Sequence, residues 1–559
     1  MKIYTPVVCT AVAAAVLVGC GGGVETEADL VLTGGWVWNG PNAPVAAAEG
    51  PTAIAVDDGK VLAVGSDAEI ARYAGASTER IDLAGRRVVP GLMDSHTHFV
   101  VGGLELASVQ LRDAATPEEF SRRIGEFAAS HPDGWIIGGT WDHELWGGEL
   151  PRRDWIDEAT PDTPVFVSRL DGHMALANTR ALELAGVTKD TVEPPGGTIV
   201  RYPDGRPTGI LKDEAMGLVL EAMPAPSEDE RDRALAAAVQ YAVERGVTMI
   251  TDMGTWEDLE TYRRAAARGE LPIRVYSVVP IATWERLKEF VDGEGRGDHR
   301  LFWGGLKGFV DGSLGSTTAW FYQPYDDEPD TAGLVVIEDE AEFRSWITGA
   351  DAAGLHVVIH AIGDLANDWL LDAYAEAREA NGPRDRRFRI EHAQHLTRAA
   401  IDRMAAEDVI PSMQPYHAID DGRWAEKRIG PERIKTTYAF RSLLDAGAAL
   451  AFGSDWTVAP IDPLFGIYAA VTRRTFDGAN PGGWVPEEKI TVADAVAAYT
   501  SGVAYASFLE DVVGELKPGK YADLVVLSDD IFTVDPVEIE NVSVDLTMVE
   551  GEIVYRRVD

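Results

Sequence analysis

A set of side chains running from His96 to Asp455 has the types and spacing for metal chemistry. The first pair lies in Val88 to Phe99, VVPGLMDSHTHF, where an apolar β-branched run is broken by Pro90-Gly91 and followed by Asp94-Ser95-His96-Thr97-His98. Side chains on a strand alternate in direction, so residues two apart share a face. His96 and His98 are therefore expected to point the same way from one strand end, and two imidazoles so placed can share a metal ion. The alternative is two polar residues at a strand end. The stretch HVVIHAIGD carries His360, FRIEHAQH carries His392, ALAFGSDW carries Asp455, and GGLKGFVDG carries Lys307 amid apolar neighbours. Each has an ordinary alternative. A lone histidine at a strand end is more often a satisfied polar residue, Lys307 could pair with Asp311 or lay its stem along apolar surface, and Asp455 could cap the following helix. Together they are much harder to obtain by chance. His356 and His395 read as structural, and His131, His143 and His299 fall in connecting segments without a ligand pattern.

The elements that must position these residues alternate strand with helix, the pattern of parallel βαβ units. Strand candidates end near His98, Trp141, Arg169, Met253, Val279, Val310, His360, His392, Gln414 and Asp455. A (β/α)₈ barrel needs eight and carries its functional residues at the C-terminal ends of its strands. Two of the candidates must then be extra, and the early ones around Trp135 to Arg169 are the expected surplus. Strand-like stretches at Asp29 to Asn39, Thr52 to Gly65, Thr78 to Val89 and Gly514 to Asp559 flank this region, with hairpin signals at Asp57-Asp58-Gly59 and Glu550-Gly551. Each end alone is marginal. The expected fold is α/β: a distorted barrel over 88–513 beside a composite β-sandwich from 29–87 and 514–559.

The first residues have the layout of a secretory signal, with Lys2 ahead of an apolar Val7 to Val18. The run is too short to span a bilayer comfortably. Leu17-Val18-Gly19-Cys20 resembles the lipobox of bacterial lipoproteins, which implies a signal over 1–19, a lipidated Cys20 and a flexible tether over 20–28. An ordinary cleaved signal is the alternative. The expected location is the cell envelope, with the periplasmic side of the outer membrane favoured because Gly21 is not aspartate. The other cysteine, Cys9, lies within the signal, so the mature chain would hold no disulfide and no thiolate metal ligand. The net charge of -41 disfavours nucleic acid as a partner.

The stretches PGLMDSHTH, VFVSRLDGHMALANTRAL, KGFVDGSLGSTTAWF, HAIGD, RIEHAQ, PSMQPYHAIDD, FGSDWTV and GELKPGKYADLVVL together resemble the amidohydrolase superfamily, most closely the amidohydrolase-3 group that includes N-substituted formamide deformylases. The resemblance runs from about Ala28 to the C-terminus. It implies one or two divalent metals, usually zinc. His96 and His98 would bind the more buried ion with Asp455, His360 and His392 the second, and a carboxylated Lys307 would bridge them. It also implies hydrolysis of a non-peptide C–N bond, such as an N-substituted amide, by water activated on the metal with Asp455 carrying the proton. His173, in the Asp-Gly-His stretch, is a candidate partner for the oxyanion, or else a loop histidine. Trp141, His173, His417 and Trp456 are candidate contacts for a small-molecule substrate; about half of the aromatics in such segments would instead be loop packing. Two other readings stay open: the same site acting on an ester, lactone or cyclic imide, and a binding lipoprotein using the barrel as scaffold.

Overall fold

The chain is described from a computed structural model that covers residues 27–46, 49–131 and 134–558. The segment expected to be a signal, and Cys20 with it, lie outside these residues. The tether expected over 20–28 ends earlier than that: Ala28 is buried and its amide donates to the Tyr73 carbonyl at 2.8 Å.

Eight parallel strands form one sheet in chain order: β1 (Leu92–Thr97), β2 (Val247–Met253), β3 (Arg274–Pro280), β4 (Leu301–Phe309), β5 (His356–Ala361), β6 (Arg389–His392), β7 (Ile410–Met413) and β8 (Ala451–Phe452). A parallel bridge between Thr97 and Trp456 brings the last strand round to the first and nearly closes a barrel. Inside its lower half, Met93, Met249, Tyr276, Val278, Val358, Ile410 and Ala451 belong to one apolar cluster. These residues come from six of the eight strands, so apolar side chains plug the barrel below the strand ends. Helices sheathe the outside. Glu228–Val243 begins with a reciprocal Ser227/Glu230 cap and buries Leu235, Ala238, Val239 and Ala242 toward the sheet.

The two surplus strands are Gly138–Trp141 and Phe166–Arg169. They belong to a separate six-stranded sheet inserted between β1 and β2, together with Val109–Gln110, Met174–Ala177, Gly197–Arg201 and Pro207–Asp213. The sequence reading missed all four of these: Val109–Gln110 is only two residues long, and the other three pair antiparallel and lack the βαβ rhythm.

A four-stranded sheet (Leu30–Thr33, Ala53–Asp57, Lys60–Gly65, Glu79–Asp82) faces a five-stranded one (Trp36–Val37, Arg87–Pro90, Leu524–Leu527, Val544–Val549, Glu552–Arg556). Leu32, Ile54, Val56, Val88, Leu524, Val526 and Met548 share their common core. Asp58 and Gly59, and likewise Glu550 and Gly551, take positive φ in tight hairpins, as the two-residue turns require. The boundary drawn at residue 88 needs correction. Arg87–Pro90 pairs antiparallel with Leu524–Leu527 and belongs to the β-sandwich. The chain passes into the barrel at Gly91, where a Cβ would lie 2.4 Å from the Thr248 hydroxyl.

Arg274, fully buried at the start of β3, ties the two units together. Its guanidinium meets Asp523 at 2.7 and 3.0 Å and Glu550 at 2.7 Å. Removing one partner of a buried pair strands the other charge, at a cost of about 3–5 kcal/mol. Arg274→Met should lower unfolding stability by about that much in a denaturant titration. Arg274→Met combined with Asp523→Leu should recover most of the loss.

Candidate metal centre and active-site cavity

The strand ends converge where β1 meets the segment after β8. Nε2 of His96 and Nε2 of His98 each lie 3.4 Å from Asp455 Oδ1. That oxygen is buried and has no hydrogen-bond partner of good geometry. The three donor atoms fall within 4.8 Å of one another, as do those of a second set, His392, His417 and Asp455. Two nitrogens and a carboxylate oxygen are donors that suit zinc. Lys307 Nζ stands 3.3 Å from His96 Nε2. Asp311 does not pair with it, because that carboxylate accepts instead from the amides of Ile362, Gly363 and Trp320. His360 is turned so that Nε2 donates to the Gly312 carbonyl at 3.1 Å, which leaves Nδ1 as its lone-pair nitrogen. Its ring centroid is 4.5 Å from that of His392, yet it joins neither donor set among the described residues.

Two of the ligand candidates, His96 and His392, are aimed by partners behind them. His96 Nδ1 donates to Glu391 at 2.5 Å, and Glu391 is held by the buried Arg389 at 2.8 Å. Arg389 in turn donates to the Ser95 carbonyl at 2.6 Å. His392 Nδ1 donates to Gln414 Oε1 at 2.8 Å. In both rings Nε2 is left as the lone pair. Burial pushes the His96 and His392 rings well below the ordinary imidazole pKa, so both are neutral, the form that binds metal. Burial also takes the Lys307 amine down to about 8. Burial alone would raise the Asp455 carboxyl, but the rings around it, with His98 placed to donate to it, outweigh that and take its pKa below the usual carboxylate range. Asp455 (φ 59°) and His392 (φ 74°) both sit in left-handed backbone, a strained conformation for side-chain-bearing residues that recurs at functional sites.

A cavity of about 390 Å³ opens over the centre, lined by His96, His98, Lys307, His360, His392 and Asp455 among others. A tighter extension of about 40 Å³ runs past His173 and His417 to Asp420, Asp421 and Trp424. His173 lines both; its Nδ1 meets Asp213 Oδ1 at 2.7 Å. Val101, Leu220 and Phe309 also line the wider cavity and are 45%, 50% and 38% exposed, so its mouth has an apolar lip. Two expected substrate contacts do not reach the cavity. Trp141 is buried in the core of the insertion, its indole donating to the Val167 carbonyl at 2.9 Å. Trp456 packs on Tyr241 and Phe99 behind the centre. His356 and His395 are structural: His356 bridges Tyr276 and the Arg387 carbonyl, and His395 pairs with Thr437.

Sequence reasoning missed Glu391, Arg389, Gln414, Arg169, Asp171 and Asp213. Glu391 carried a faint signal, an acidic residue next to His392 and two positions from Arg389 in a strand that is buried throughout. Asp171 lay in the quoted Asp-Gly-His stretch; it is fixed by Arg169 at 2.7 Å and Ser313 at 2.5 Å.

A sequence model described as "Amidohydrolase family" matches residues 79–555. The Arabidopsis thaliana protein LONG AFTER FAR-RED 3 is 44% identical over 90% of this chain and 87% of its own. The N-substituted formamide deformylase of Arthrobacter pascens is 29% identical over 90% of this chain and 95% of its own. Among solved structures, an uncharacterized metal-dependent hydrolase from Pyrococcus horikoshii superposes with TM-score 0.72 at 28% identity, covering 94% of this chain and all of that one. The chain belongs to the amidohydrolase family and is a metal-dependent hydrolase.

Partners that orient a metal-bound imidazole typically contribute 10–100-fold to affinity. Glu391→Gln should weaken metal retention by about that factor in a chelator competition read by metal analysis, with the melting temperature of the metal-free protein little changed.

Proposed function

We propose that this hydrolase cleaves a non-peptide C–N bond, an N-substituted amide with a small acyl group, releasing a carboxylate and an amine. The reading is carried by one observation: a buried carboxylate oxygen of Asp455 without a hydrogen-bond partner meets the two imidazoles at the floor of a cavity whose lip is apolar. The formamide deformylase among its relatives supports it. When bound, a divalent metal acidifies a water to near neutrality and polarises a carbonyl. His96, His98 and Asp455 would hold one ion, and His360 and His392 a second. Lys307 would bridge them as a carbamate, since an ammonium repels a dication whereas a carbamate offers two anionic oxygens.

Asp455 accepts the proton of the attacking water and delivers it to the leaving nitrogen. His173 faces the carbonyl oxygen as charge builds there. Burial disfavours its charged form, but the hydrogen bond to Asp213 and the carboxylates of Asp171 and Asp311 outweigh it and raise its pKa. The tight inner cavity takes the small acyl end, and Val101, Leu220 and Phe309 receive the apolar N-substituent. Esters and lactones fit the same machinery and are the second reading.

The test is a panel of N-formyl, N-acetyl and longer N-acyl amines beside matched esters, with chelator and with zinc restored. Short acyl groups on bulky apolar amines should turn over fastest, and faster turnover of the esters would move the assignment to the second reading. Asp455→Asn should lower kcat by about 10²–10⁴-fold while keeping much of the metal. For protein produced without residues 1–20, the intact mass under native conditions should exceed the calculated mass, beyond any bound metal, by one carbon dioxide if Lys307 is carboxylated; a free amine beside a filled site would remove that assignment. We also propose that the chain is exported and anchored through a lipid on Cys20. Cys20→Ala should then move it from the membrane fraction to the soluble one.

A further inference from the structure

We propose that Asp213, carried by the inserted sheet, is a positioning residue of the active site: it holds the His173 ring so that Nε2 faces the cavity where the scissile carbonyl lies. The proposal rests on the reading of the cavity as an amidase site.

Three features of Asp213 lack a structural reason. Its backbone lies at φ 47°, ψ −125°, a conformation avoided by residues with a Cβ and open to glycine. It precedes a short helical turn, Glu214–Met216, yet its side chain does not cap it. Its Oδ2 is buried without a hydrogen-bond partner. A strained backbone and an unsatisfied carboxylate oxygen are both costly, and both fall on one residue. What that residue does have is the 2.7 Å contact from Oδ1 to His173 Nδ1. That contact commits Nδ1 to the carboxylate and leaves the opposite nitrogen for the cavity.

The surroundings fix this geometry from both sides. The Asp213 amide donates to the His173 carbonyl at 3.1 Å, so the two residues are neighbours across the ladder between Met174–Ala177 and Pro207–Asp213. On the barrel side, Lys212 Nζ donates to the Ser316 carbonyl at 2.9 Å. Ser316 Oγ reaches Asp171 at 3.0 Å. Gly312 follows closely after β4, and a Cβ there would stand 2.8 Å from Asp213 Oδ1. The insertion therefore contributes to the site by register: the end of one of its strands is clamped to the loop after β4 and aims one ring.

The experiment compares Asp213→Ala, Asp213→Asn and His173→Ala singly, and Asp213→Ala/His173→Ala together, all loaded with zinc. Asp213→Ala should lower kcat by about 10²-fold with KM changed less than about threefold and metal content unchanged. Because Asp213 acts through His173, the double variant should be no slower than His173→Ala alone. Additive losses in the double variant, or wild-type kcat in Asp213→Ala, would overturn the proposal. Should the wild-type protein cleave no amide or ester at all, the reading of the site fails separately, and the positioning role is judged by crystallography of zinc-loaded Asp213→Ala. A His173 ring rotated away from the cavity supports the role, and an unmoved ring overturns it.

Discussion

The seam between β1 and the segment after β8 is the constraint on which the centre depends. The Asp455 amide donates to the His96 carbonyl at 2.7 Å, and the His98 amide donates to the Trp456 carbonyl at 2.5 Å. Beneath them the buried Asp94 carboxylate accepts from the His96 amide at 3.0 Å and the Ser454 amide at 2.9 Å. Gly453 allows the approach, since a Cβ there would press within 2.6 Å of both Asp94 and His96. The ladder that closes the barrel is thus the ladder that brings two imidazoles and a carboxylate from opposite ends of the chain to one point. Closure and ligand geometry cannot be separated: a slip of one residue in this register would turn the ligands away from each other.

Most of the barrel was legible because its signals are local and repeated. All ten expected strand ends fall at or within a few residues of observed ones; eight close the barrel, from Thr97 to Phe452, and the two surplus strands lie in the stretch singled out for them. The hairpins at Asp58-Gly59 and Glu550-Gly551 were legible for the same reason, since positive φ at two successive positions selects a short list of residues. The boundary at Gly91 was not, because Val88 to Thr97 reads as one strand interrupted by Pro-Gly. Only pairing partners hundreds of residues away reveal that its halves belong to different sheets.

Within the site, the residues that face the centre were visible and those behind them were not. A histidine at a strand end announces itself by type. Glu391, Gln414 and Asp213 act through contacts with residues 295, 22 and 40 positions away, and no short-range pattern encodes such a distance. The aromatic candidates failed for a related reason. Trp141 and Trp456 follow strands as pocket residues do, but an indole is as useful for filling a core as for lining a cavity, and here both fill cores.

The buried line from Arg389 through Glu391 to His96 shows what this arrangement is for. A buried ion pair is weak evidence of stability, because desolvating both charges costs about as much as their attraction returns, and apolar side chains of similar size often do as well. Arg389, Glu391 and His96 are all fully buried, and the same interior holds methionine, valine and isoleucine only a layer below. A barrel selected for stability alone could have extended that apolar plug upward. Charged residues there fix one tautomer and one orientation of the His96 ring, and a ligand to a metal requires both. On this argument the layer of charge above the plug, with the left-handed backbone at His392 and Asp455, marks where the fold gives up stability for geometry.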